Sequence, residues 1–261
     1  MDATQLLLVG GGAFLAGGMN AIAGGGTFFS FPALLAAGVP PVMANASNTV
    51  AMWPASLSSA WAYRREVSRH PRWTLLLVLV SLIGGVSGSL LLLATSNAAF
   101  SRLVPWLLLT ATCLFAFSGQ ISRGVAAAKA RLGLGARAAG TPGGLGGLIF
   151  QTIVAIYGGF FGAGMGILTL AALAIQGVED MQELNGLKNL TSAVNYTVAA
   201  ATFIIAGAIS WPHTLLMIAT AMAGAFAGAA FARRLPAVWL RRLVVAVGSV
   251  LSVIYFIKTY S

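Results

Sequence analysis

The sequence predicts an all-α polytopic membrane protein of two inverted repeats, each with four long transmembrane helices plus one short broken or re-entrant helix. Three observations predict it. Of 261 residues, 58% are hydrophobic and only 8% charged, and no soluble core of this size hides so much apolar surface. Apolar blocks near the roughly 20 residues that cross a bilayer recur along the chain. They lack the apolar/polar alternation of a transmembrane barrel. Finally, the two halves match in register.

The elements follow in order. The first segment spans 5–23; its start, "MDATQLLLVGGG", lacks a basic n-region and reads as retained membrane structure. Gly24, Gly25 and Gly26 interrupt it, and a short segment follows at 27–37. The segments 43–62, 74–94 and 103–120 complete the first repeat, residues 1–121. Trp53–Pro54 marks an expected kink in the third. Residues 122–143 are basic, rich in Gly and Ala, and read as a cytoplasmic linker. The second repeat, 144–261, holds segments at 144–161, 165–176, 187–206, 214–232 and 240–258. Its short segment again follows a glycine cluster, "FFGAGMGI" at 160–167.

A shift of 139 places Gly25 on Gly164, Gly38 on Gly177 and Val39 on Val178. After one inserted residue, a shift of 140 places Asn45 on Asn185, Gly84 and Gly88 on Gly224 and Gly228, and Arg102 on Arg242. Charge decides the relative orientation. If each glycine-broken pair enters and leaves on one side, then Arg64, Arg65, Arg69, Arg72, the basic linker, Lys188 and the four arginines at 233–242 share one face. Only Arg102 and Lys258 remain opposite. The positive-inside rule favours this inverted arrangement, with both termini outward.

The net charge of +10 sits in short gaps between apolar blocks, so it reads as a topology signal rather than a nucleic-acid surface. The lone Cys113 offers neither disulfide nor thiolate site. The five carboxylates, Asp2, Glu66, Glu179, Asp180 and Glu183, all lie outside or at the ends of apolar segments. Proton relays place acids within the membrane, and hydrolytic sites need a base, a nucleophile or a metal. No catalytic residue, metal site or cofactor is therefore expected.

Inverted repeats with broken helices are a recurrent transporter design. A helix N-terminus exposes unpaired N–H groups and partial positive charge, which favour an anion. Glycine lets bare backbone approach the ligand. The candidate site is therefore Gly24, Gly25, Gly26 and Thr27 at the first break, with Gly162, Gly164, Met165 and Gly166 at the second. "GGVSG" at 84–88 and "GAFAG" at 224–228 read instead as close helix packing. Asn45, Asn48 and Thr49 share one helix face at i, i+3 and i+4. Their counterparts Asn185, Lys188 and Asn189 are followed by Ser192. Such donors suit an oxyanion. Interhelical bonding for the asparagines, and an ion pair of Lys188 with Glu179, Asp180 or Glu183, remain open alternatives. Asn20 flanks the first break.

The stretches "GGMNAIAGGGTFFSFPALLAAGVPPVMANASNTVA" and "GGFFGAGMGILTLAALAIQGVEDMQELNGLKNLTSA" resemble the sulfite exporter TauE/SafE family of small bacterial permeases. Length, duplication and basic linker extend the resemblance over nearly the whole chain. It implies carriage of sulfite or organosulfonates across the bacterial inner membrane. Ala163 and Met165 replace two glycines of the first motif, which puts symmetric use of the breaks in doubt. The reading is a secondary transporter of a small oxyanion working by alternating access. Its partners are the anion and the lipid bilayer, with a homodimer left open and no nucleic acid. A passive anion channel and a non-transporting scaffold are the rival readings.

Overall fold

A computed structural model describes residues 1–22, 25–67, 71–131, 145–176, 178, 180–232 and 237–260. Gly24 therefore lies outside the described residues, as does residue 68. The described residues form helices and connections without strands. The helices are α1 (Ala3–Ile22), α2 (Thr27–Ala36), α3 (Pro41–Ala62), α4 (Arg64–Val67), α5 (Pro71–Ala94), α6 (Asn97–Arg131), α7 (Leu145–Phe160), α8 (Met165–Ile175), α9 (Met181–Ile205), α10 (Trp211–Ala232) and α11 (Ala237–Tyr260).

Local chemistry sets several boundaries. Pro41 opens α3, where a missing N–H costs nothing. Asp180 caps α9 by accepting from the Gln182 N–H at 2.8 Å. α4 was not anticipated; Arg64 there stacks over Trp61 at 4.8 Å and donates to its carbonyl at 3.0 Å. Pro54 sits inside a continuous α3, and Trp53 donates from Nε1 to Thr197 Oγ1 at 2.9 Å, a contact between α3 and α9. α6 runs 35 residues, about 52 Å at 1.5 Å per residue, and continues to Arg131 through the stretch expected to begin the linker. The run "GVAAAKAR" explains this: alanine, lysine and arginine are strong helix formers.

Among the described residues, three helical stretches are long and apolar enough to cross a membrane by themselves: Pro71–Ala94, Asn97–Gln120 and Arg242–Tyr260. Much of the outer surface is apolar, with Leu7, Ile205 and Phe226 exposed by 78, 86 and 77%. Such a surface suits lipid rather than water. The protein is an all-helical membrane protein.

Both short helices fold back on the helix before them. In the first hairpin, Gln5 near the start of α1 donates from Nε2 to the Ala37 carbonyl just past α2, at 3.0 Å. In the second, Gln176 just past α8 donates from Nε2 to Gly147 near the start of α7, at 3.4 Å. Each hairpin thus begins and ends at one level, with its glycine break at the tip.

The helices of the two halves interleave. α1 packs on α10 and α5 on α7; α3 lies on α9 and α6 on α11. Glycines make the first two contacts. A Cβ built on Gly18 would stand 3.2 Å from the Gly224 carbonyl oxygen, and one on Gly84 would meet Ala155 Cβ at 2.5 Å. The packing reading of "GGVSG" and "GAFAG" is thereby borne out. α6 and α11 run antiparallel. Trp106 near the start of α6 donates to the Tyr260 hydroxyl at the end of α11 (3.2 Å), and that hydroxyl donates to the Arg102 carbonyl (3.0 Å).

Candidate functional site

The two glycine breaks come to the same turn of α6. A Cβ on Gly25 would lie 2.9 Å from Phe115 Cζ and 3.1 Å from Val244 Cγ1. One on Gly164 would lie 3.4 Å from Leu114 Cδ1 and 3.6 Å from Ala111 Cα. Both glycines hold positive φ, +83° and +77°. That left-handed region is strained for residues with a Cβ, so the register between halves preserves a backbone conformation as well as a residue type.

At the first break the chain satisfies much of its own polarity. Gly26 donates its N–H to Asn20 Oδ1 at 3.2 Å. Its carbonyl accepts from the Phe29 N–H at 2.9 Å and from Ser30 Oγ at 3.3 Å. Ser30 Oγ also lies 2.5 Å from Asn48 Oδ1 and donates to it. Thr27, the first residue of α2, is buried. The tip is closed by Phe28, which meets Phe115 edge-to-face at 5.7 Å.

The second break is arranged differently. Gly162 also holds positive φ, +81°. The Tyr157 hydroxyl donates to the Ala163 carbonyl at 2.6 Å and fixes the loop. Met165 begins α8 and is buried. Its side chain packs against Gly158, where a Cβ would lie 3.0 Å from Met165 Cγ. Lys188 reaches across from α9: its Cδ lies 3.7 Å from where a Cβ on Gly166 would stand, beside the first turn of α8. Lys188 is half-buried, and its ammonium has no hydrogen bond or ion pair among the described residues. The alternative of an ion pair with Asp180 or Glu183 is not realised here; residue 179 lies outside the described residues. The Tyr196 hydroxyl lies 3.4 Å from the corresponding Cβ position of Gly162.

The asparagine face of α3 links the breaks. Asn45 donates from Nδ2 to the Phe160 carbonyl at the end of α7, 2.9 Å away. Thr49 donates back to the Asn45 carbonyl at 3.0 Å. The donors of Asn45 and Thr49 thus serve the protein itself, while the fully buried Asn45 Oδ1 keeps no partner. On α9, Asn185 and Asn189 are half-buried. Sequence reasoning passed over Tyr196. Its signal was spacing: Lys188, Ser192 and Tyr196 fall at i, i+4 and i+8, one stripe of α9.

A groove of about 410 Å³ lies elsewhere, between the first hairpin and α11, lined by Gly12, Phe29, Pro32, Leu251, Tyr255 and Lys258 among others. Its lining is mostly apolar, so it is a poor seat for a small anion.

Chemically, the second break joins a helix N-terminus, an ammonium unpaired among the described residues and a phenol, all suited to negative charge. A half-buried ammonium is costly in hydrocarbon unless a counter-charge or water meets it.

Comparison with known proteins agrees with this membrane reading. Residues 9–255 match the family model described as sulfite exporter TauE/SafE. A "Probable membrane transporter protein" of Haemophilus influenzae is 30% identical over 217 residues, covering 83% of this chain and 80% of the relative. The "Probable membrane transporter protein ORF9" of Sinorhizobium sp is 28% identical over 248 residues, covering 92 and 88%. The "Probable membrane transporter protein YfcA" of Escherichia coli K12 is 26% identical over 241 residues, covering 92 and 85%. No solved structure matches. With the family model covering nearly its whole length, this chain belongs to the sulfite exporter TauE/SafE family.

Proposed function

We propose that this membrane transporter carries a small sulfur-containing oxyanion, sulfite or an organosulfonate, across the bacterial inner membrane. The observation that carries the anion is Lys188, half-buried, with no partner for its ammonium among the described residues, laid along the first turn of α8 at the second break. Helix dipole and ammonium both repel cations there and would repel each other without an anion between them. Gly162, Gly164, Gly166, Lys188 and Tyr196 form the binding side of the site, with Asn185 and Asn189 adding polarity nearby. The first break, with Asn20, Gly25, Gly26, Thr27, Asn45, Asn48 and Thr49, forms the opposing wall. The sulfur class rests on family membership, and the geometry supports a small anion without distinguishing its chemistry.

The halves, 1–121 and 144–261, are inverted in this reading. The antiparallel seating of α6 on α11 supports it, because these helices correspond under the repeat. The fold-back of both hairpins supports it too. Transport then proceeds by one bundle rocking against the other, with the tips of the hairpins alternately exposed. Transport rather than catalysis is the activity.

Flux in proteoliposomes tests the function. Sulfite or a sulfonate is expected to saturate, to counter-exchange with itself, and to exceed sulfate and thiosulfate. Flux that never saturates and shows no exchange assigns a passive channel instead. Topology is read by single cysteines introduced at Ser68 and Ala237: both are expected to react only from the cytoplasmic side. Labelling from opposite sides rules out the inversion.

A further inference from the structure

A layer of polar side chains sits inside the second hairpin's surroundings, where the anion site makes no use of it. Ser81 on α5, Gln151 on α7, Thr169 on α8 and Thr191 on α9 are each 0% exposed. Ser81 Oγ, both Gln151 amide atoms and Thr169 Oγ1 have no hydrogen-bond partner among the described residues. Thr191 Oγ1 donates only within its own helix, to the Leu187 carbonyl at 2.9 Å and the Lys188 carbonyl at 3.0 Å, which leaves its lone pairs free.

The four helices bring these residues to one depth. Leu77, Leu173 and Leu187 pack in one buried cluster. Ser81 lies one turn beyond Leu77, Thr191 one turn beyond Leu187, and Thr169 one turn before Leu173. α8 runs back along α7 while α5 and α7 run parallel, so all three steps go toward the hairpin tip. Gln151 lies one turn before Ala155, which touches Gly84, three residues after Ser81. The layer thus caps the leucine cluster on its tipward side. The repeat does not duplicate it: Gln151 corresponds to Gly11 or Gly12, and Ser81 to Ala221.

Buried polar atoms without partners cost free energy in any protein, and more so away from water. Four of them in one layer call for a guest. The oxygens on offer are hydroxyl and amide oxygens, which are hard and neutral. Such a set suits a small monovalent cation; divalent ions draw on carboxylates, and the layer holds none. We propose that this layer binds one sodium ion, held by Gln151 Oε1, Ser81 Oγ, Thr169 Oγ1 and Thr191 Oγ1. Thr169 lies five residues from Gly164 on α8, about 7.5 Å along the helix axis. Where the anion site at the second break holds, the two ions attract through α8, and the cation becomes the coupling ion.

The test needs no anion and no transport, so its failure is separable from failure of the transporter reading. The purified full chain in nanodiscs is heated in sodium, potassium or choline chloride, and radiolabelled sodium binding is measured in parallel. Sodium is expected to raise Tm by roughly 5–10 °C at about a hundredfold over Kd. Choline and potassium are expected to leave it unchanged. Gln151→Leu removes two partnerless atoms at similar volume, so its Tm in choline is expected to hold or rise while the sodium response and label binding vanish. Thr169→Val, nearly isosteric, is expected to weaken sodium binding at least tenfold and provides the reading if Gln151→Leu does not fold. A wild-type Tm identical in sodium and choline shows structural waters only and overturns the proposal. An equal response to potassium, or a sodium response retained by the variants, overturns it as well.

Discussion

Lys188→Gln is expected to raise the apparent KM for the transported anion roughly 10- to 100-fold, while the protein still inserts and purifies as a folded species. A hydrogen bond to a charged group contributes about 1.5–3 kcal/mol, which converts to that range. Glutamine keeps the length and a donor but removes the charge. Lys188→Arg is expected to retain much of the transport, because the charge remains beside Gly166, where the Lys188 chain already runs at 3.7 Å from the Cβ position. The comparison separates two roles. Were Lys188 an edge-of-membrane ion-pair residue, glutamine would lower thermal stability and leave KM alone. An unchanged KM in proteoliposome flux removes Lys188 from the site.

The second large effect is expected at Gly164. Its φ of +77° is the left-handed conformation, which costs residues with a Cβ about 1–2 kcal/mol and β-branched residues more. The first side-chain atom has room: a Cβ there would lie 3.4 Å from Leu114 Cδ1, an ordinary contact. Gly164→Val therefore acts first through the backbone. The chain is expected to relieve the strain by turning the first turn of α8, which would move the N–H groups of the proposed anion site. Misplacement of about 1 Å in a positioned site costs on the order of 100-fold, so flux is expected to fall by about that factor with normal insertion. Gly164→Ala is expected to fall between the two. Gly25→Val differs in kind, since its Cβ would press on Phe115 at 2.9 Å as well as strain φ at +83°; lost stability is expected there alongside lost flux. Full flux in Gly164→Val, measured against the same folded yield, would falsify the role of the second break.

Much of the architecture was legible because membrane proteins write it in coarse residue classes. Apolar block length placed the long helices, and the glycine clusters placed both tips. The in-register pairs Gly84/Gly224 and Gly88/Gly228 foretold helix contacts, since only small residues let backbones approach so closely. The end of α6 was misplaced because basic residues were weighed as linker and the helix propensity of its alanines was not. The site was legible less completely. Asn45, Asn48 and Lys188 all announce polar groups in an apolar chain, yet nothing local says whether such a group meets a ligand or a neighbour. Tyr196 was missed because its hydroxyl matters only once α9 lies along the second break.

The sequence by itself determined an α-helical membrane chain, the positions of two glycine breaks and family membership. These are properties of composition, period and register, each readable within a few tens of residues. The tertiary structure decided how the two alike breaks differ. Asn20, Ser30 and Asn48 fold inward and bond the first, while the Lys188 ammonium and the Tyr196 hydroxyl have no hydrogen bond among the described residues beside the second. The physical reason is that a polar group's availability depends on what lies within about 3 Å of it. Here that distance is bridged by residues far apart in the chain, as Asn45 is from Phe160.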